Sequence, residues 1–249
     1  MSAPAFRVWV GWRAASMRGP NGWSRFSDAL GKTFIPATWM VMQRYGLRAY
    51  VPSVTQADPP RGCPEETALL VYETPEAYER HKATVGGRSY GQMHGAVFGF
   101  DPPGISRSGW AAPGGVDPEP RSRLPAWFWD GTNPALALDS PGASIVFLML
   151  GHDATAVSTA AATALHASLG YDKGQVVLCP TPTFTLAWIA VAPPGSANNT
   201  FAAALAAALP QGAIHSQHVA KPADTTGDYF DGPDSEVPVS DQLSLHFLR

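Results

Sequence analysis

The feature that most restricts what this chain can fold into is a recurring order of element signals. Residues 144–219 read as strand, helix, strand, strand, helix, strand, and residues 6–97 read as strand, helix, strand, strand, helix. This is the split β-α-β-β-α-β pattern, complete in the second half and lacking its last strand in the first. It predicts an α+β fold of two similar halves with antiparallel sheets.

In the first half, Phe6 to Trp12 (FRVWVGW) alternates and is rich in strand formers. Trp23, Phe26 and Leu30 recur at helical spacing, and Pro36 predicts a stop or kink. A helical pattern resumes over Thr38–Tyr45, with Gly46 as a left-handed stop. Leu47–Val54 reads as a strand, placed at an edge by Pro52, and Thr67–Tyr72 as a buried one. Thr74-Pro75-Glu76 has the chemistry of a helix start. That helix should reach about Thr84, be interrupted at Gly86-Gly87, and be followed by another over Arg88–Val97.

The second half repeats the order. Ser144–Leu150 is a strand. A helix capped by Asp153 or Thr155 runs to about Leu169. Gln175–Cys179 and Phe184–Ala192 are strands. A helix capped by Asn198 or Asn199 covers Phe201–Leu209, and Ala213–Val219 is the last strand. The expected organisation is a first unit over 1–100, a Pro/Gly/Trp-rich connection over 101–143, a second unit over 144–220, and an irregular acidic tail over 221–249. Leu243–Leu248 could dock as a terminal strand. The connection holds eight prolines from Asp101 to Gly142. Trp110, Trp127, Phe128 and Trp129 argue against a plain linker. The missing strand can lie within it.

Composition narrows the function classes. A net charge of −3 argues against a nucleic-acid partner. No apolar run is long enough for a membrane span, and no signal peptide is seen. Cys63 and Cys179 have no metal-like spacing and read as two thiols of a reducing compartment, so a cytoplasmic location is expected. Residues 1–100 hold 11 Lys/Arg against 7 Asp/Glu, and residues 101–249 hold 6 against 13. The basic half suits an anionic substrate, and it equally suits attraction between the halves.

The densest concentration of proton-transfer groups is Tyr78 to His94. Tyr90 and His94 are spaced i, i+4 and so share one face of a helix. A Tyr–His pair can take a proton beside a carbonyl and protonate a leaving group. Arg88 can grip a carboxylate in bidentate fashion. On this reading His94 is the base, Tyr90 the acid and Arg88 the clamp, with Gly86-Gly87 letting backbone amides approach an anion. Lys82, His81 and Tyr78, with Trp12 and Trp23, are candidate substrate contacts. The alternatives are core packing for Tyr90 and the tryptophans, and a solvated helix face for His81 and Lys82. His215 and His218, three apart in a strand, are a poor metal pair. No metal cluster, phosphate loop or nucleophile elbow is present in the sequence. A single histidine suffices for haem and leaves no spacing signature, so no cofactor is expected and haem stays open.

The two halves resemble the dimeric α+β barrel superfamily of ferredoxin-like units, in a single-chain tandem form. Tyr78-x-x-His81 resembles the Tyr-x-x-His-Pro-x-His helix of stress-responsive barrel proteins and plant polyketide cyclases. Here Lys82-Ala83-Thr84 replace the proline and second histidine. The resemblance implies two sheets facing each other with helices outside, a small-molecule substrate, and a homodimer among the allowed assemblies. It covers cofactor-free oxygenases, haem enzymes, cyclases and lyase-like proteins. The leading expectation is a lyase or isomerase without a redox cofactor. It would act next to a carboxylate or carbonyl of an anionic substrate, for example by β-elimination on a uronic-acid saccharide. The alternatives are a cofactor-free oxygenase or cyclase of an aromatic polyketide-like substrate, a haem-binding enzyme of the same fold, and a non-catalytic binding module.

Overall fold

The computed structural model describes residues 4–55, 59, 62–100, 105–119, 122–151, 158–169, 174–193 and 214–219. The expected helix over Phe201–Leu209, the acidic tail and the terminal strand lie outside the described residues, as does His152. The fold is mixed α+β, and the described chain divides between Ser108 and Gly109 into two compact units.

In the first unit, β1 (Ala5–Gly11), β2 (Leu47–Val54) and β3 (Glu66–Tyr72) form an antiparallel sheet ordered β2-β3-β1. Pro52 has no N–H to donate, and among the described residues β2 pairs on one side only, as its edge reading requires. β3 is buried along its whole length. Because successive side chains alternate, Glu66, Ala68, Leu70 and Tyr72 face one side, while Thr67, Leu69 and Val71 face the other. The register places Arg7 opposite Leu70 and Trp9 opposite Ala68, on the Glu66 side.

Helices cover that side. α1 (Gly22–Ala29) passes through a π-helical turn at Leu30–Phe34 into α2 (Ile35–Met42). Of the stop or kink expected at Pro36, the stop is not realised, and a π turn lies directly before the proline. Proline lacks the N–H for an i→i−4 bond, and the widened turn before it lets the helix continue without one. Gly46 adopts the expected left-handed conformation at φ 79°. α3 (Pro75–Ala83) is capped by Thr74, whose hydroxyl accepts the Ala77 N–H. α4 (Val85–Val97) is capped by Thr84, which accepts the Gly87 N–H at 2.9 Å. The Gly86-Gly87 pair thus lies in the first turn of α4 rather than between helices. A Cβ at Gly87 would lie 2.0 Å from the His81 carbonyl oxygen, so glycine lets α4 press against the end of α3.

The second unit is a sheet ordered β4-β5-β7-β8-β6-β9. Its strands are β4 (Arg107–Pro113), β5 (Ala126–Trp129), β6 (Ser144–Gly151), β7 (Val176–Pro180), β8 (Phe184–Val191) and β9 (Ile214–Val219). β4 pairs with β5 in parallel, and the pairings from β5 to β9 are antiparallel. Two strands therefore occupy the Pro/Gly/Trp-rich stretch. α5 (Thr159–Ser168) begins later than the sequence suggested, because Ser158 is its cap and accepts the Ala161 N–H. Leu165 and Leu169 pack on an aliphatic layer that includes Val146, Leu148, Val176, Leu178, Ala187 and Ile189. Cys63 and Cys179 are buried, and neither forms a disulfide. Among the described residues no helix is long and apolar enough to cross a membrane.

Candidate functional site

A partly open cavity of about 50 Å³ lies within the first unit, between the Glu66 face of its sheet and the helices above. The sheet contributes Arg7, Trp9, Tyr50, Glu66 and Tyr72. The helical side contributes Phe34 from the π turn, Thr38 and Met42 from α2, Tyr78 from α3, and Tyr90 and His94 from α4.

Glu66 is its most unusual group. Its side chain has no solvent exposure. Trp9 Nε1 donates to one carboxyl oxygen at 2.7 Å, and the Tyr50 hydroxyl donates to the other at 3.4 Å. Burial pushes the Glu66 carboxyl up to about 7, and the two hydrogen bonds only partly offset this. A carboxyl that titrates near neutrality is suited to accept a proton and hand it back.

His94 is held by the helix that carries it. Its Nδ1 lies 3.0 Å from the Tyr90 carbonyl oxygen. A carbonyl only accepts, so Nδ1 carries the proton and Nε2 presents a lone pair. Burial lowers the imidazole to about 4, with the Arg7 charge adding to the shift and the bond to the Tyr90 carbonyl opposing it. His94 is thus neutral at physiological pH. The Tyr90 hydroxyl lies 2.7 Å from Thr38 Oγ1, which itself donates to the Phe34 carbonyl at 2.8 Å. With that proton committed, Thr38 receives the hydroxyl of Tyr90. Burial raises the Tyr90 phenol well above its usual range. Arg7 lies over the Tyr78 ring at 4.1 Å and donates to the Ser108 hydroxyl.

The structure brings together Tyr78, Tyr90 and His94 among the residues singled out by sequence. The others lie elsewhere. Arg88 is exposed and donates to the Ala83 carbonyl at 2.9 Å, closing the end of α3. Lys82 is exposed and pairs with Glu79 at 3.0 Å. Trp23 packs on Phe26 and under Arg13. Trp12, partly buried, donates its backbone N–H to the Ser106 hydroxyl oxygen. His81 is not on a solvated face. It is buried against Tyr45 and behind Tyr90, at ring separations of 4.6 and 5.8 Å, and burial lowers its pKa.

Sequence reasoning missed Glu66 and Arg7 and singled out Trp12 and Trp23 rather than Trp9. The available signal was alternation. The strand reading Thr67–Tyr72 stops one residue short of Glu66, which is in phase with Ala68, Leu70 and Tyr72.

Among the described residues no group of three or more His, Cys, Asp or Glu could hold a metal ion. The surroundings of His94 do not fit haem on that ring. The rings of Phe34, Tyr90, Trp9 and Phe98 surround the His94 imidazole, with centroids 4.6, 4.7, 5.3 and 6.1 Å away, in the space a macrocycle centred on that ring would need.

No family model and no curated protein matches the chain. Solved structures do. A monooxygenase candidate of Fusobacterium nucleatum is 10% identical, with 88% of this chain and 93% of that chain covered, at a TM-score of 0.40. A monooxygenase candidate of Lactobacillus acidophilus is 8% identical, with both chains fully covered, at a TM-score of 0.35. An anthrone oxidase-like protein is 10% identical, with 90% and 94% covered, at a TM-score of 0.40.

The lyase or isomerase reading on a uronic-acid saccharide is corrected. The three structures above carry monooxygenase and anthrone oxidase-like names. The geometry agrees. The carboxylate clamp assigned to Arg88 is on the surface, and the Tyr90 proton is engaged by Thr38.

Proposed function

We propose that the first unit is the catalytic half of a small-molecule enzyme. Its reaction would be the cofactor-free oxygenation of an aromatic, polyketide-like substrate with an activated C–H bond, of which an anthrone is the simplest case. In this reading the two units are ferredoxin-like repeats of an α+β barrel, and the cavity is the substrate pocket.

The observation that carries the proposal is Glu66: a fully buried carboxyl in an aromatic-lined cavity, held by two donors and poised near neutral pH. Ionised Glu66 would take a proton from a ring carbon flanked by aromatic and carbonyl groups. The electron pair left behind delocalises onto the carbonyl oxygen. The resulting enolate is electron-rich enough to reduce O2, and a carbon–oxygen bond forms. Loss of water then converts CH2 to C=O, so that one O2 is consumed and one H2O released. Phe34, Trp9 and Tyr90 supply faces on which a flat substrate can stack. His94, neutral with an accepting Nε2, can orient a substrate hydroxyl.

The test is oxygen uptake with an anthrone. One O2 should be consumed per quinone formed, and Glu66→Gln should slow this about 10²-fold or more. Absence of uptake by the wild-type protein would overturn the proposal. Product formation without uptake would instead place the same base in a cyclase.

A further inference from the structure

The Glu66 carboxyl is held asymmetrically, and the strand register builds the asymmetry. On β1, Gly11 lies directly opposite Glu66, and Trp9 lies opposite Ala68. Gly11 and Trp9 share one face of the strand, so Glu66 meets no β1 side chain straight across and has Trp9 as its diagonal neighbour. The indole reaches over that gap. A Cβ at Gly11 would lie 2.6 Å from Phe98 Cε1 and 2.9 Å from Trp9 Nε1. Glycine therefore leaves the space that the indole N–H and the Phe98 ring occupy. Phe98 and His94 meet the indole edge-on, with ring centroids 5.1 and 5.3 Å away, and fix its direction.

The two carboxyl oxygens have different partners. Oε2 faces Trp9 Nε1 at 2.7 Å, within the range of a charge-assisted bond. An indole N–H only donates, so Oε2 must accept in either protonation state of the carboxyl. Oε1 faces the Tyr50 hydroxyl at 3.4 Å. A hydroxyl donates or accepts, so this longer contact serves both states. In a neutral carboxyl the carbonyl oxygen is the stronger acceptor, and the short bond to Trp9 selects Oε2 for that part.

We infer that Trp9 is the positioning residue of Glu66 and that Gly11 makes room for it, so that Oε2 is held as the carbonyl oxygen and Oε1 is the atom that takes and returns the proton. In the step this supports, the proton passes from the substrate carbon to Oε1, and the electron pair of the broken C–H bond stays on the substrate. The negative charge moves with it from Glu66 to the substrate. Delivery to a substrate rests on the oxygenase reading. The assignment of the two oxygens does not.

The test is infrared spectroscopy of the neutral Glu66 carboxyl at pH 6, below its midpoint of about 7, as a difference from Glu66→Gln. A C=O stretch falls in frequency when its oxygen accepts a hydrogen bond. Trp9→Phe keeps a ring and loses the donor. It should move the band to higher frequency and raise the midpoint by about one pH unit, because the charged form loses a hydrogen bond. Tyr50→Phe should leave the frequency in place, and Gly11→Ala should move it in the direction of Trp9→Phe. Circular dichroism verifies folding. A second measurement needs no change at Trp9. One of the eight tryptophan indole N–H resonances should titrate with the same midpoint in wild-type protein and cease to do so in Glu66→Gln. An unmoved band in Trp9→Phe, an equal move in Tyr50→Phe, or no titrating indole would overturn the inference, and a wild-type frequency in Gly11→Ala would overturn the part given to Gly11. The expected shifts without oxygen uptake from an anthrone would overturn the oxygenase reading and leave the assignment of Oε1 standing.

Discussion

The two units use the space between sheet and helices in opposite ways. In the second unit, β8 is central and buried throughout, and its helix-facing residues Ala187, Ile189 and Val191 join Val146, Leu148, Val176 and Leu178 in a filled aliphatic layer. In the first unit β3 is equally central and buried, yet its helix-facing residues begin with Glu66 and end with Tyr72. The neighbouring strand adds Arg7 and Trp9, and the space above is a cavity. Two tryptophans carry the same contrast. Trp9 gives its indole N–H to Glu66 at 2.7 Å, while the indole N–H of Trp188, fully buried on β8, has no acceptor among the described residues. One tryptophan fills space; the other holds a carboxyl in a site that burial alone would not favour. The α5 layer stabilises, and the α2–α4 layer gives up packing to expose chemistry.

Substitutions in each unit test that contrast, the first on the face of β8 opposite the α5 layer. Trp188→Ala should be the most damaging to stability, by about 3–5 kcal/mol, because a large buried ring is lost and a cavity remains. Urea denaturation measures this. If the loss is below 1 kcal/mol, the second unit is not the packed partner described above.

The next effect is pH-dependent. The folded Glu66 carboxyl titrates near 7, above its unfolded value near 4.5. The folded state therefore holds a proton that the unfolded state has lost in this window, so stability should fall as pH rises from about 4.5 to 7. A shift of that size corresponds to about 3 kcal/mol. His94 opposes it, since a folded value near 4 means stability is lost as pH falls below 6.5. Glu66→Gln removes the first contribution only. The difference in stability between variant and wild type should therefore grow in favour of the variant up to about pH 7 and then level off. A difference independent of pH would contradict a raised Glu66.

Gly87→Ala should cost about 1–3 kcal/mol, because its Cβ would meet the His81 carbonyl at 2.0 Å and force α4 away from α3. Thermal unfolding reads the change. Arg88→Ala, on the exposed face of the same helix, should stay within about 0.5 kcal/mol and leave oxygen uptake unaltered. Loss of turnover in that variant would return the carboxylate clamp to the surface of α4.

The parts legible in sequence are those governed by local chemistry. Thr74 caps α3 because its hydroxyl reaches three residues ahead, and Gly46 turns left-handed because it has no Cβ. Tyr90 and His94, spaced i, i+4 on α4, both line one cavity. Their roles were not legible, because those depend on partners chosen by tertiary structure. Thr38, 52 residues away, takes the Tyr90 hydroxyl, and the helix's own Tyr90 carbonyl fixes the His94 tautomer. Pro36 disturbs the helix without ending it, since a π turn absorbs the missing N–H. Glu66 was hidden by its charge. Carboxyls are rare in buried strands, and only the alternation of β3 and the pairing with β1 reveal that this one faces a cavity.

The central claim is that Glu66 is a buried proton acceptor poised near neutrality, and infrared titration of the carboxyl stretch tests it without any substrate. Wild-type protein should show a protonated carboxyl band that disappears with a midpoint near pH 7 and is absent from Glu66→Gln. If no band specific to wild-type protein persists above pH 5, Glu66 is ionised throughout the neutral range and the account of this cavity fails.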